Sequence, residues 1–163
     1  MMKDAIETAI KMETDAIAFY GEAANKTSHP FGKEMFRGFV KDETRHLKIL
    51  QDIFRGIDIN IELKRPKDTI KTVFSMLKDE MMQRVNALDS ELEAVNIALK
   101  FEKEGFDFYR ESADRAESPK EKELFDKLSI EENDHYTILL ETHKFLENTG
   151  QWYMYEEKGI VEG

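Results

Sequence analysis

The sequence contains no cysteine, and this absence excludes several kinds of centre at once. Without Cys the chain forms no disulfide and has no thiol nucleophile, and it cannot hold a zinc ribbon, an iron–sulfur cluster or a rubredoxin-type iron. Any metal that it binds must therefore be held by oxygen atoms and imidazole nitrogens.

Basic residues and long apolar runs are also scarce. The 24 Lys and Arg residues face 34 Asp and Glu residues, a net charge of −10 that argues against nucleic acid as a partner. No apolar run approaches the roughly 18 residues of a membrane-spanning helix, and the first residues lack the apolar stretch of a signal peptide. We therefore expect a cytoplasmic protein, of one domain, without a membrane partner.

The chain repeats itself with an offset of 89 residues. Between residues 4–54 and 93–143, 16 of the 51 aligned pairs are identical, whereas chance would give roughly three. In both copies apolar residues recur at three- and four-residue steps on either side of a proline, Pro30 or Pro119. Each copy is therefore predicted to be a helical hairpin, over about 3–56 and 89–147, and two such hairpins bury their apolar stripes against each other.

The predicted fold is all-α, a four-helix bundle of two duplicated hairpins across residues 1–150. A long crossover over 57–88 joins the hairpins, and its apolar spacing predicts a short extra helix over 67–85. Residues 151–163 form an aromatic and acidic tail that holds the only Trp. Capping boxes are predicted at Ser90 with Glu93 and at Ser118 with Glu121.

Polar residues interrupt the apolar stripes at one level in all four predicted helices. Residues three apart share a helix face, so each Glu-x-x-His pair points inward beside the lone glutamates of the other two helices. Four unpaired buried carboxylates would be very costly, and two divalent cations would balance them. One Glu from each of two helices with Glu-x-x-His from the other two is the ligand set of dinuclear carboxylate bundles. The predicted metal-binding and catalytic residues are Glu13, Glu43, His46, Glu102, Glu132 and His135.

Further residues are predicted around these ligands. Asp42 and Glu131 each lie four residues before a His, and a ligating imidazole normally donates its second N–H to such an acceptor. We expect pairing across the repeat, from His135 to Asp42 and from His46 to Glu131.

Two tyrosines and two histidines allow other interpretations. Tyr20 and Tyr109 lie two turns beyond Glu13 and Glu102, so they either hydrogen-bond the ligand carboxylates or are core aromatics with other partners. His29 and His143 lie outside the pattern and are expected on the surface.

With these residues, the sequence resembles the rubrerythrin branch of the ferritin-like di-iron-carboxylate superfamily over about residues 3–147. The resemblance rests on Glu13…Glu43-x-x-His46 and Glu102…Glu132-x-x-His135. It implies a ferritin-like bundle with two iron ions, manganese and zinc being alternatives. It further implies that the reduced centre gives two electrons to hydrogen peroxide and that water is formed.

Two departures from the family pattern stand out. Typical rubrerythrins carry a second glutamate three residues after the ligand of the third helix, but this chain has Gly105 there. Without that glutamate both histidines can be permanent ligands, and the site becomes symmetric. The chain also has no Cys for a rubredoxin domain, so the electrons would come from a separate donor protein such as a rubredoxin.

Three functions therefore compete. The leading hypothesis is an enzyme, a non-haem di-iron peroxidase that reduces peroxide with an external donor and functions as a homodimer. The second is a ferroxidase or iron-handling ferritin relative that uses dioxygen or peroxide. The third is a non-enzymatic metal-binding or redox-sensing helical module, for which the aromatic tail and the Met-rich segment 76–82 are the best support.

Overall fold

A computed structural model describes residues 3–56, Arg65 and residues 88–152. In this part of the chain there are four helices, α1 (Lys3–Lys26), α2 (Pro30–Phe54), α3 (Asp89–Asp114) and α4 (Pro119–Thr149). The predicted all-α four-helix fold is confirmed. The predicted crossover helix over 67–85 and most of the predicted tail lie outside the described residues. Of the four described helices, none combines the length and apolar character needed to cross a membrane.

The helices pair as two hairpins around a polar layer. α1 packs mainly on α2, and α3 packs mainly on α4. Along α1, Ile6 and Ala9 belong to one apolar cluster and Tyr20 belongs to a second cluster, with Glu13 between them. The other three helices show the same order, so the candidate ligands lie between two apolar clusters that cover them from both ends.

The start of α2 corrects one prediction. His29 was expected on the surface, but it is fully buried. Its Nδ1 accepts the backbone N–H of Phe31 at 3.1 Å and so caps α2, while Trp152 stacks on its ring with the centroids 6.0 Å apart. His143 is also not fully exposed, since its side chain is 18% accessible and its Nδ1 lies 3.4 Å from Glu147.

The start of α3 corrects a second prediction. The helix begins at Asp89, with Leu88 as its cap residue, and Glu91 replaces the expected Ser90–Glu93 pair. The Glu91 carboxylate accepts the N–H of Leu88 at 2.8 Å and the N–H and hydroxyl of Ser28 at 2.5 and 2.8 Å. It also accepts the indole N–H of Trp152 at 3.2 Å. One buried carboxylate therefore ties α3, the α1–α2 turn and the segment after α4 together.

The ends of α4 follow simple capping rules. Ser118 accepts the N–H of Glu121 at 3.2 Å, which is the first half of the predicted capping box. In the second half the Glu121 carboxylate accepts the N–H of Glu117 at 3.1 Å, one residue before the cap. Gly150 then ends the helix in the left-handed region, with φ of 70°, and donates to Leu146. Glycine adopts this conformation without strain.

Trp152 closes one end of the bundle. Its side chain is fully buried and lies over Gly32 so closely that a Cβ there would be 2.7 Å from the indole Cη2. The same Cβ would be 2.5 Å from the Cγ2 of Thr27. Only glycine leaves room for this contact, so the segment after α4 is packed on its own bundle as far as Trp152.

Candidate metal centre

The structure brings all six predicted ligands together in the middle of the bundle. The lone glutamates come from α1 and α3, and the two Glu-x-x-His pairs come from α2 and α4. None of the six residues is more than 3% exposed. The buried set consists of Glu13, Glu43, His46, Glu102, Glu132 and His135.

The six residues form two overlapping groups of four. One group consists of Glu13, Glu43, His46 and Glu132. The other group consists of Glu43, Glu102, Glu132 and His135. In each group the four candidate ligand atoms lie within 4.8 Å of one another. Glu43 and Glu132 belong to both groups, so these two carboxylates would be shared if two cations were bound, whereas each lone glutamate would hold one cation.

Each imidazole turns its Nδ1 toward the carboxylates. The Nδ1 of His46 lies 3.4 Å from Glu13, 3.5 Å from Glu43 and 3.3 Å from Glu132. The Nδ1 of His135 lies 3.3 Å from both Glu43 and Glu102. The nitrogen that faces the centre is therefore the same one on both sides of the repeat.

Several polar atoms in this layer have no protein partner. They are Oε2 of Glu13, Oε1 of Glu43, Nδ1 of His46, Oε2 of Glu102 and Oε1 of Glu132. A buried polar atom without a partner costs about 1–3 kcal/mol, and most native proteins avoid it. The unpartnered atoms are carboxylate oxygens and an imidazole nitrogen, which are suitable ligands for iron, manganese or zinc. The residues present therefore fit a pair of divalent cations.

The crowding of carboxylates shifts their protonation. Burial and the neighbouring carboxylates raise the pKa of Glu43 and of Glu132 well above the ordinary value. Burial also acts on Glu13, but the adjacent His46 outweighs it and lowers the pKa of Glu13. The pKa values of His46 and His135 are raised by the surrounding acids despite their burial. Without metal, the centre therefore retains protons that a cation would displace.

The second nitrogen of each histidine contacts a carboxylate of the other hairpin. The Nε2 of His135 lies 2.9 Å from Asp42, and the Nε2 of His46 lies 3.0 Å from Glu131. This is the pairing expected from the spacing. An N–H donated to a carboxylate fixes the tautomer of a neutral ring, so each neutral imidazole would offer the lone pair of its Nδ1 to a cation in the centre.

The two tyrosines contact the lone glutamates across the repeat. Tyr20 donates its hydroxyl to Glu102, and Tyr109 donates to Glu13 at 2.5 Å. Both rings are fully buried, and burial with the nearby carboxylates raises the pKa of each phenol well above its ordinary value. The hydroxyls therefore stay protonated and hold one oxygen of each lone glutamate.

Arg45 adds a feature for which the sequence predicted no role. Its guanidinium donates to Glu131 and lies 3.8 Å from Asp42. Burial alone would raise the pKa of Glu131, but the hydrogen bonds from His46 and Arg45 outweigh it and lower the pKa to about 2. In the internal repeat, the position equivalent to Arg45 is Asp134. The second hairpin therefore has an acid where the first has a guanidinium. The outer layer of the centre is consequently asymmetric, although the ligand set is symmetric.

Asp134 forms an ion pair with a different arginine, Arg65. It is only 3% exposed and accepts two bonds from Arg65, at 2.6 Å from Nε and 2.8 Å from Nη2. A paired, bidentate guanidinium compensates a buried carboxylate well. A residue of the crossover is thereby attached to α4 next to His135.

A cavity of about 150 Å³ reaches the centre between α1 and α3. Gly105 lies on its wall, where a Cβ would be 3.5 Å from Oε2 of Glu132 and 3.7 Å from the methyl of Met12. These are ordinary contact distances, so the absence of a side chain leaves open space beside the ligands. The position that carries a further glutamate in typical rubrerythrins here helps to form a cavity.

Comparison with known proteins agrees with this arrangement. The sequence model of the rubrerythrin family matches residues 4–144, a range that includes both hairpins and all six candidate ligands. No curated protein and no solved structure gave a match. Because the matched range covers most of the chain, the protein belongs to the rubrerythrin family.

Proposed function

We propose that the protein holds two iron ions in this centre and reduces hydrogen peroxide with electrons from a separate donor protein. The observation that carries the proposal is the buried layer of four carboxylates and two imidazoles whose unpartnered atoms face one another. A bound iron pair supplies two electrons and Lewis-acid contacts for the peroxide oxygens. The balanced reaction consumes one hydrogen peroxide, two electrons and two protons, and it forms two waters.

The first task of the chain is to bind the cations and balance their charge. Four carboxylates compensate two divalent cations, with the histidines bound as neutral rings. Glu43 and Glu132 would contribute to both positions, while Glu13 and Glu102 would contribute to one each. The ligands lie on four different helices, so the bundle itself fixes the spacing of the two positions.

A second task is to orient these ligands. Asp42 and Glu131 accept the outer N–H of the histidines, which keeps each ring from turning. The hydroxyls of Tyr20 and Tyr109 hold the lone glutamates. Because the pKa of each phenol is raised, these hydroxyls remain hydrogen-bond donors at neutral pH rather than proton sources.

A second candidate function is the oxidation of ferrous iron. It is favoured by Gly105, which removes a negative ligand and leaves an open cavity at the centre. Ferrous iron would then be the substrate, and dioxygen or peroxide the oxidant. The two candidate functions use the same metal ligands and differ in the substrate, which is hydrogen peroxide in the first and ferrous iron in the second.

The two functions are separated by one series of experiments. Metal analysis should give close to two irons per chain, and Glu43→Gln should lose them. The reduced protein, mixed anaerobically with peroxide, should then be oxidised by one peroxide per centre, and a reduced rubredoxin should restore it. Oxidation by dioxygen at the same rate or faster, with repeated turnover of added ferrous iron, would decide for the second candidate. Binding of zinc alone without any redox response would contradict both.

A further inference from the structure

The cavity between α1 and α3, called here the α1–α3 cavity, is lined by charge of one sign. Its charged lining residues are Glu13, Asp15, Glu43, Glu102, Glu104 and Glu132, and no basic side chain lines it among the described residues. Four of these acids belong to the buried centre, whereas Asp15 and Glu104 are exposed. The exposed pair therefore marks the mouth, and the buried four mark the inner end.

The acidic lining leads to buried atoms that lack partners. One oxygen each of Glu13, Glu43, Glu102 and Glu132 has no hydrogen-bond partner, and these residues are at least 97% buried. Unpartnered buried oxygens on residues that line a cavity indicate a cation as the ligand. The cavity is also large enough for several water molecules, so an ion can enter with part of its hydration shell.

The two acids at the mouth of the cavity occupy equivalent positions in the internal repeat. Asp15 and Glu104 are equivalent positions, since they differ by the 89-residue offset, so the two acids come from α1 and α3 on opposite sides of the opening. Neither makes an ion pair or a side-chain hydrogen bond with another described residue. They are therefore available to an incoming ion, whereas the neighbouring Lys103 is engaged with Asp107 at 3.0 Å.

We propose that the α1–α3 cavity is the route by which divalent cations reach the centre, and that Asp15 and Glu104 capture them at its mouth. The proposal rests on the function proposed above only in that the centre binds divalent metal. Clefts lined by one sign of charge raise the local concentration of counter-ions and accelerate their binding by a factor of 10 or more. Hydrogen peroxide is uncharged and gains nothing from the acidic mouth, so the mouth acts on the ion and not on the oxidant.

The test measures the rate of metal uptake by the metal-free protein. Cobalt(II) is mixed with the metal-free protein in a stopped-flow instrument. The change in the visible absorption of the ion reports its binding to the ligands. The variant Asp15→Asn with Glu104→Gln keeps size and removes both charges. We expect uptake to slow about tenfold, with the final stoichiometry unchanged, and we expect added salt to slow the wild type much more than the variant.

A matched control removes two charges elsewhere on the same helices. Glu7 and Asp114 are exposed acids of α1 and α3 that do not line the cavity. The variant Glu7→Gln with Asp114→Asn should take up cobalt(II) at nearly the wild-type rate. Charge reversal, Asp15→Lys with Glu104→Lys, should slow uptake further than neutralisation does. Equal rates in the mouth variant and the wild type, or equal slowing in the control pair, would overturn the proposed route.

The outcome also separates this route from the enzymatic activity. Fully iron-loaded mouth variant should react with peroxide at the wild-type rate, because its ligands are intact. Slow uptake together with a loaded centre that ignores peroxide would support the route and contradict the peroxidase. Rapid uptake by the mouth variant together with a normal peroxide reaction would contradict the route and support the peroxidase.

Discussion

Replacing Glu43 by glutamine should have opposite effects on metal binding and on the stability of the metal-free protein. Glu43 belongs to both groups of four candidate ligands, so Glu43→Gln weakens both positions and should reduce bound metal from two ions to nearly none. Glu13 belongs to one group only. Glu13→Gln should therefore leave about one ion per chain, in the position that retains Glu102 and His135.

The effect on stability follows from protonation. The ordinary pKa of a glutamate is 4.5, and that of Glu43 is raised well above it in the folded, metal-free chain. Burial and the carboxylates of Glu13, Glu132 and Glu102 therefore make the charged form of Glu43 costly in the folded chain at pH values above 4.5, and each unit by which a pKa is raised corresponds to about 1.36 kcal/mol. Glutamine avoids this cost. Metal-free Glu43→Gln should therefore melt above the wild type at pH 7, by roughly 2–4 °C for each kcal/mol of free energy gained, and the difference should shrink as the pH falls toward 4.5.

Calorimetry of the metal-free proteins at several pH values tests this directly, with Glu13→Gln as the comparison. The pKa of Glu13 is lowered because His46 outweighs the effect of burial, so its charge stabilises the fold above pH 4.5, and its removal should lower the melting temperature. The reasoning would be refuted if metal-free Glu43→Gln melted no higher than the wild type at pH 7. It would also be refuted if both variants bound the same number of ions.

Three further outcomes are expected. Trp152→Ala should lower the free energy of unfolding by about 3–5 kcal/mol, measured by chemical denaturation. The fluorescence of this single, buried Trp should shift to longer wavelength when the fold is lost, while Trp152→Phe should retain most of the stability. Arg45→Leu should weaken metal affinity roughly 10–100-fold by releasing Glu131, measured by competition with a chelator, and Arg45→Lys should weaken it less. Metal loading should release protons, because burial and the neighbouring carboxylates raise the pKa values of Glu43 and Glu132. The release is measured in weakly buffered solution, and an unchanged pH would contradict the raised pKa values.

The sequence predicts the helices, and it predicts which buried acids and histidines lie together, because both depend on local periodicity. Glu13, Glu43 and Glu132 occupy apolar stripes, where a charge has no structural reason to lie, and the internal repeat provides a second copy of each pattern. The outer hydrogen bonds of His46 and His135 follow from the same spacing. These features require no knowledge of contacts between distant parts of the chain.

The features that sequence reasoning missed depend on such distant contacts. His29 has no periodic signal, and its burial comes from Trp152, which lies more than a hundred residues away. Arg45 lies between two residues of the centre in sequence, but its partner Glu131 belongs to the other hairpin and is brought beside it only by the fold. Glu91 displaces the expected cap because it gains partners from Ser28 and Trp152. Single polar contacts of this kind leave no pattern along the sequence.

The unmatched residues Arg45 and Asp134 have a consequence for the two ions themselves. Glu131, which faces His46, has its charge compensated by Arg45, whereas Asp42, which faces His135, has only a distant contact with that arginine. The less compensated acceptor makes its imidazole the stronger electron donor, so we expect the position beside His135 to favour the higher oxidation state. The internal repeat gives two matching half-sites, and Arg45 makes their surroundings different. With two iron ions bound, we expect the ion beside His135 to give up its electron first.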